Sequence, residues 1–175
     1  MATSGATSLS GFQQVSLILL RTLIGWHFLY EGYYKLGLPS WSRAGQPLTG
    51  WTASGYLRGA TGLFSGLFHR LADPRWAPFV DRAVEIVLLL IGLSLILGCL
   101  TQIGSWGALL FLTLVYLAAI PAQGIPQQGN EGTYLFVNKT LIEWAAVLIL
   151  IPFRTGEIAG LDLLRRRAPA SVEAN

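Results

Sequence analysis

Four long apolar runs constrain this chain more than any other feature: Val15 to Leu36, Ala83 to Leu100, Ile103 to Ile120 and Leu135 to Phe153. Each approaches the ~20 residues that an α-helix needs to cross the ~30 Å hydrocarbon core of a bilayer. Composition agrees, because 53% hydrophobic against 12% charged is too apolar for a water-soluble domain of 175 residues. The expected architecture is an all-α integral membrane protein, a single membrane domain over 1–175 built as a four-transmembrane-helix bundle. An even number of crossings puts both termini on one side.

Thr101 and Gln102 alone separate the second and third runs, which forces a tight antiparallel hairpin. Pro121 stops the third run and Pro152 marks the end of the fourth. Ser94 with Gly98, and Gly104 with Ala108, form small-xxx-small pairs whose usual role is close helix approach. The third run has no charge at all and is expected to be a lipid-facing buttress. The opening MATSGATSLSGFQQ lacks the basic residues of a secretory signal, so the first run is expected to be retained as a membrane helix.

The loop 37–82 is long for so small a chain, and long loops are usually functional or disordered. Its aromatic content argues against disorder. Leu57, Ala60, Phe64, Leu67, Phe68 and Leu71 follow helical spacing, which predicts a short amphipathic helix at the interface or over the bundle mouth. Trp41, Trp51 and Tyr56 either belong to an interfacial aromatic belt or line a ligand pocket.

The first run carries Arg21, His27, Glu31 and Lys35. At about 100° per residue His27, Glu31 and Lys35 share one face, with Arg21 about 40° further round. An ionisable side chain at the bilayer centre costs roughly 2.5–3.5 kcal/mol on insertion scales, so such groups face a bundle interior or a wet cavity and have partners. In an antiparallel bundle this stripe meets Asp81 and Glu85 at the start of the second helix and Asn138, Lys139 and Glu143 at the start of the fourth. Imidazole, carboxylates and cations in a low-dielectric site suit proton-coupled quinone chemistry or the binding of a small oxyanion. The competing account is structural: Arg21 or Lys35 pairs with Glu85 or Glu143 across helices and holds the bundle together.

Other classes are excluded. Cys99 is the only cysteine, so there is no intrachain disulfide, redox pair or Cys/His metal cluster. No strand precedes a G-x-G-x-x-G, so flavin and nicotinamide folds are absent; His27 and His69 lie in different elements, and no haem or metal site is evident. A net charge of +3, without interleaved basic and aromatic residues, gives no nucleic-acid surface. Arg154 and Arg165, Arg166 and Arg167 favour cytoplasmic termini, although Arg43, Arg58, Arg70, Arg75 and Arg82 in the first loop nearly balance them.

R-x3-G-W-H-F-L-Y-E-G-x-x-K-L in the first run, P-S-W-S and W-T-A-S-G-Y-L-R in the loop, and E-G-T-Y-L-F-V-N-K-T-L-I-E entering the fourth run resemble the DoxX/DoxD family from about Val15 to Arg154. That family includes the small membrane subunit of thiosulfate:quinone oxidoreductase. The resemblance implies a four-helix protein of the prokaryotic cytoplasmic membrane, a quinone as the bound cofactor, and a partner redox enzyme that handles the electron donor. The expected catalytic groups are His27, Glu31 and Glu143. Arg21, Lys35, Trp41, Trp51, Tyr56, Glu85, Glu131, Asn138 and Lys139 form the expected ligand-binding set. The alternative is a non-enzymatic scaffold or a small-solute carrier; a carrier of this size would have to work as a homo-oligomer, and the chain shows no inverted repeat of the kind carriers often have.

Overall fold

Ser10 starts the first helix. Its hydroxyl accepts from Gln13 N (3.3 Å) while its own N–H donates to Gln13 Oε1 (2.8 Å), a reciprocal capping box. This cap extends α1 (Gly11–Lys35) four residues upstream of the apolar run. The structure, a computed structural model, describes residues 9–37, 51–61, 63–119 and 136–167, with residues 165–167 described by their backbone alone. Trp41, Glu131 and the loop from Pro121 to Tyr134 lie outside the described residues.

The fold is all-α. After α1 come the short α2 (Ser54–Arg58) and α3 (Ser65–Leu71), then α4 (Ala77–Leu97), α5 (Thr101–Ala118) and α6 (Lys139–Phe153). Two short elements, α7 (Thr155–Ile158) and α8 (Asp162–Arg167), follow. Helix α4 begins six residues before the apolar run because Pro78 suits a helical first turn, carrying Asp81 and Arg82 into the helix. It ends at Gly98 in the left-handed conformation (φ 64°). The tight turn is Gly98 to Leu100, and Thr101 and Gln102 belong to the first turn of α5. Helix α6 starts later than its apolar run: extended Asn138 accepts from Leu141 N (3.0 Å) through its side chain and holds the residues before it out of the helix.

Side-chain meetings fix the arrangement as up-down-up-down. Gly25 lies against Leu95 and Ile96, Gly92 against Leu29, and Gly32 against Leu88 and Leu89, so α1 and α4 are antiparallel and very close. A Cβ on Gly92 would stand 2.4 Å from the backbone nitrogen of Leu29, which only glycine permits. Ser94 meets Gly104 between α4 and α5. Between α5 and α6, Gln102 Nε2 donates to Ile151 O (3.0 Å) and Trp144 Nε1 to Thr113 Oγ1 (3.0 Å). Helix α1 closes the ring against α6. Phe28, Leu95, Ala108, Val147 and Leu150 are buried at its centre.

The small-xxx-small expectation holds at Ser94 and Gly104, while Gly98 serves as the helix C-cap. Helix α5 buries Gly104, Ser105, Ala108, Leu109 and Leu112 and turns Ile103, Trp106, Leu110 and Leu114 outward. It is thus half core and half outer surface. Leu19, Leu23 and Trp26 on α1, Leu90, Leu93 and Leu97 on α4, and Ile142 and Ile149 on α6 are likewise exposed. Of the described helices, α5 is the one long and apolar enough to cross a membrane by length and composition. Charges interrupt α1 and α4, and the 15 residues of α6 rise only about 22 Å.

Among its described residues the first loop holds two short helices in place of one. Leu57, Ala60, Phe68 and Ala72 pack with Ala118 at the end of α5, so α2 and α3 cover the bundle end formed by the C-termini of α1 and α5 and the start of α4. Phe64 and Leu67 point outward instead. Ala53 N donates to Asp81 Oδ1 (2.7 Å) and Tyr56 Oη to Val115 O (2.7 Å), tying the cover to α4 and α5. Past α6, Leu161 N donates to Leu97 O (3.1 Å) and Asp162 N to Gly98 O (2.8 Å), docking the start of α8 on the α4–α5 turn.

Candidate functional site

Helix α1 brings its polar face to α6 at one point. His27 Nδ1 and Glu143 Oε1 are 2.5 Å apart, the ion-pair contact that joins two long helices among the described residues. The register follows from antiparallel packing, which sets His27, just past the middle of α1, opposite the second turn of α6. Phe28, the next residue of α1, is buried in the core and edge-on to Phe111 of α5 at 6.0 Å. The His27 side chain is 40% exposed and that of Glu143 13%, so the imidazole is reachable from the bundle flank and the carboxylate is shielded behind it. Glu31 and Lys139 both lie within electrostatic reach of the imidazole.

One helical turn on, Lys35 Nζ pairs with Glu31 Oε2 along α1 and lies over the Trp51 ring, 5.2 Å from its centroid. A lysine over an indole face gains a cation–π attraction of about 0.5–1 kcal/mol. Trp51 therefore serves as a wall for Lys35, joining the first loop to the stripe. Trp26, Tyr30 and Tyr34 form a ladder up the neighbouring face, with adjacent ring centroids 6.4 Å apart.

The remaining expected residues divide between this region and elsewhere. Glu85 is buried and pairs with Arg82 of its own helix at 2.7 Å. Asp81 accepts from Ala53 N. Asn138 is the α6 cap, a local structural role. Tyr56 donates to the end of α5, and partial burial pushes its pKa up to about 12. Arg21 does not join the stripe's upper part: it is 3% exposed and its Nη2 donates to Ala159 O (2.7 Å) near the opposite end of the bundle.

Two expectations change here. The cross-helix salt bridges of Arg21 or Lys35 with Glu85 or Glu143 are replaced by His27–Glu143 between helices and by Glu31–Lys35 and Arg82–Glu85 within helices. The reason is reach, since partners at i+3 or i+4 already face each other on one helix surface. Second, the convergence of carboxylates and cations narrows: His27, Glu31, Lys35, Lys139, Glu143 and Trp51 come together, while Asp81 holds the cover and Glu85 pairs with Arg82 of its own helix.

Sequence reasoning did not single out Asp162. Its Oδ1 accepts from Leu100 N (2.7 Å) and its Oδ2 from Thr101 N (2.9 Å) and Thr101 Oγ1 (2.8 Å). The legible signal was G-E-I-A-G-L-D immediately after α6, two glycines and an acid in a segment otherwise read as a basic tail. Among the described residues no group of histidines, cysteines and acids is arranged to hold a metal ion. No protein-family profile, curated protein or solved structure matches the chain.

Proposed function

We propose that this chain is the multi-pass membrane subunit of a quinone-linked oxidoreductase of the prokaryotic cytoplasmic membrane, similar to the DoxX/DoxD subunits, with cytoplasmic termini. Helices α1, α4, α5 and α6 cross the bilayer, and their outward leucines, isoleucines and tryptophans face lipid. The observation that carries the reading is the 2.5 Å His27–Glu143 contact between α1 and α6, with its imidazole open to the flank. A carboxylate that holds one imidazole nitrogen fixes the tautomer and turns the other nitrogen toward a ligand.

Reduction of a quinone to a quinol takes two electrons and two protons. The electrons come from the partner enzyme; His27 and Glu143 relay protons to the ring oxygens. Glu31 stands one turn away and Lys35 two, and Lys35 and Lys139 supply cations that stabilise negative charge developing on an oxygen. The test is Glu143→Gln and His27→Gln in native membranes, reading donor-linked quinone reduction in complexes of normal abundance. General acid–base roles contribute about 10²–10⁴-fold, so losses of that order are expected. Unchanged rates in both variants refute the assignment.

A non-enzymatic scaffold is the second reading, favoured by one observation: Glu31–Lys35, Arg82–Glu85 and Arg154–Glu157 are local pairs that satisfy their own charges. A scaffold retains its redox partner in both variants and loses it upon changes in α2 and α3.

A further inference from the structure

Helix α3 is apolar on two sides. Phe68 and Ala72 are buried and pack with Ala118 of α5 and Val80 of α4, the side that covers the bundle end. Leu63, Phe64 and Leu67 are exposed instead, Leu63 at 91%, and Trp76 and Phe79 carry the exposed set into the first turn of α4. A helix lying between a bundle and water needs one apolar face, so the second requires a cover of its own.

The nature of that cover follows from α4, which acts as a ruler. Phe79, Arg82, Ile86, Leu90, Leu93 and Leu97 are all exposed, and at about 100° per residue they fall within about 60° of one another. From Leu97 to Phe79 this stripe rises about 27 Å, close to the ~30 Å of a bilayer's hydrocarbon. Set in a bilayer with Leu97 at one boundary, α4 brings Phe79 and Trp76 to the other, the level at which tryptophan gathers. Because Phe68 and Ala72 cluster with Val80, the residue after Phe79, α3 stands at this same level.

Charge favours a lipid surface there. Residues 58–82 hold Arg58, Arg70, Arg75 and Arg82 against Asp73 and Asp81, a net +2. Asp81 is engaged with Ala53 N, and Arg82 with the buried Glu85. Arg70 is exposed three residues past Leu67 and shares its face, and Arg75 is exposed beside Trp76. Basic and large apolar side chains interleaved on one short segment suit the boundary between anionic headgroups and acyl chains.

We propose that residues 63–79 dock on acidic phospholipid of the bilayer that α4 crosses. Leu63, Phe64, Leu67, Trp76 and Phe79 enter the headgroup boundary, and Arg70 and Arg75 take the phosphates. The cover is then fastened to the bundle on one side and to lipid on the other. This rests on the membrane-crossing part of the proposed function and is independent of its quinone chemistry.

Depth-dependent quenching tests it. Cys99 is the only cysteine, so in a full-length Cys99→Ser chain an environment-sensitive fluorophore can be placed at Leu67→Cys or, separately, at Leu90→Cys on the α4 stripe. Each labelled protein is set in nanodiscs of phosphatidylcholine with brominated acyl chains, and acrylamide is the quencher from water. The label at residue 67 is expected to be quenched by the brominated chains and largely protected from acrylamide. Replacing about a third of the lipid by phosphatidylglycerol is expected to deepen that quenching, and high salt or the Arg70→Gln/Arg75→Gln pair to remove most of the gain. A label at residue 67 that only acrylamide reaches, while the one at residue 90 is quenched by lipid, overturns the proposal and marks the face as a protein-docking surface. A label at residue 90 that lipid does not quench overturns the membrane-crossing reading, and the proposal with it. A phosphatidylglycerol effect unchanged in the double variant overturns the role of the two arginines.

Discussion

Gly92→Ala isolates the contact that sets the position of α1. In the native chain a Cβ at residue 92 meets Leu29 N at 2.4 Å, Leu29 Cα at 2.6 Å and Leu29 Cβ at 2.7 Å, and two of these are backbone atoms that no rotamer change can move. Ordinary contact begins near 3.4 Å, so α1 must retreat by about 1 Å (3.4 − 2.4). Forced overpacking of this kind costs about 1–3 kcal/mol. Replacing a mid-helix glycine by alanine returns about 1 kcal/mol of helix propensity. The net loss of up to about 2 kcal/mol corresponds to a midpoint lower by about 4–8 °C at its upper end. Gly107→Ala is the matched control: it offers the same helix gain, but its Cβ meets Ile91 at 3.5 Å, an ordinary distance, so its midpoint should rise by about 2–4 °C. Tryptophan fluorescence during thermal unfolding in mild detergent measures both. Because Leu29 lies two residues past His27, the same retreat is expected to loosen the 2.5 Å His27–Glu143 contact, and under the proposed function quinone reduction should fall in Gly92→Ala but not in Gly107→Ala. Two alanine variants that shift the midpoint equally and in the same direction would refute the packing argument.

Two further outcomes follow from the geometry. Thr113→Val removes the acceptor of Trp144 Nε1 and leaves an indole N–H unpaired inside the bundle; a loss of about 1–3 kcal/mol is expected, checked by the unfolding midpoint against Trp144→Phe in the same background. Tyr56 titrates late, at about 12 against the usual ~10 for an exposed phenol. Its folded value is the raised one, so its contribution to stability is complete below pH ~10 and is lost as pH rises from there toward about 12. The alkaline absorbance change of the native chain minus that of Tyr56→Phe should show one phenol titrating near the upper end of this range, and a difference centred near the ordinary value would contradict it.

Much of the architecture was legible because it depends on local pattern. Apolar runs of helical length, the prolines at 121 and 152, and the short link at residue 101 define helices and a hairpin without knowledge of any partner. The boundaries shifted where a side chain outside the apolar pattern intervened: Ser10 and Gln13 drew α1 upstream, Asn138 delayed α6, and Gly98 moved the hairpin turn. Each is a hydrogen bond or backbone conformation that hydropathy does not register.

The polar stripe of α1 could be read from a 3.6-residue period, since His27, Glu31 and Lys35 share a face in any helix. Which partner each takes could not. Glu143 goes to His27 because antiparallel α1 and α6 meet at that register, with α1 held against α4 by the close approach at Gly25, Gly32 and Gly92, and Glu85 goes to Arg82 because α4 begins early enough to include it. Arg21 belongs to the opposite end because Ala159 is folded back beneath α1, and Asp162 caps a helix that begins 61 residues before it. Periodicity acts along one element and is written in neighbouring residues. Pairing and capping between elements depend on distances of a few ångströms between segments far apart in the chain, which only the closed bundle defines.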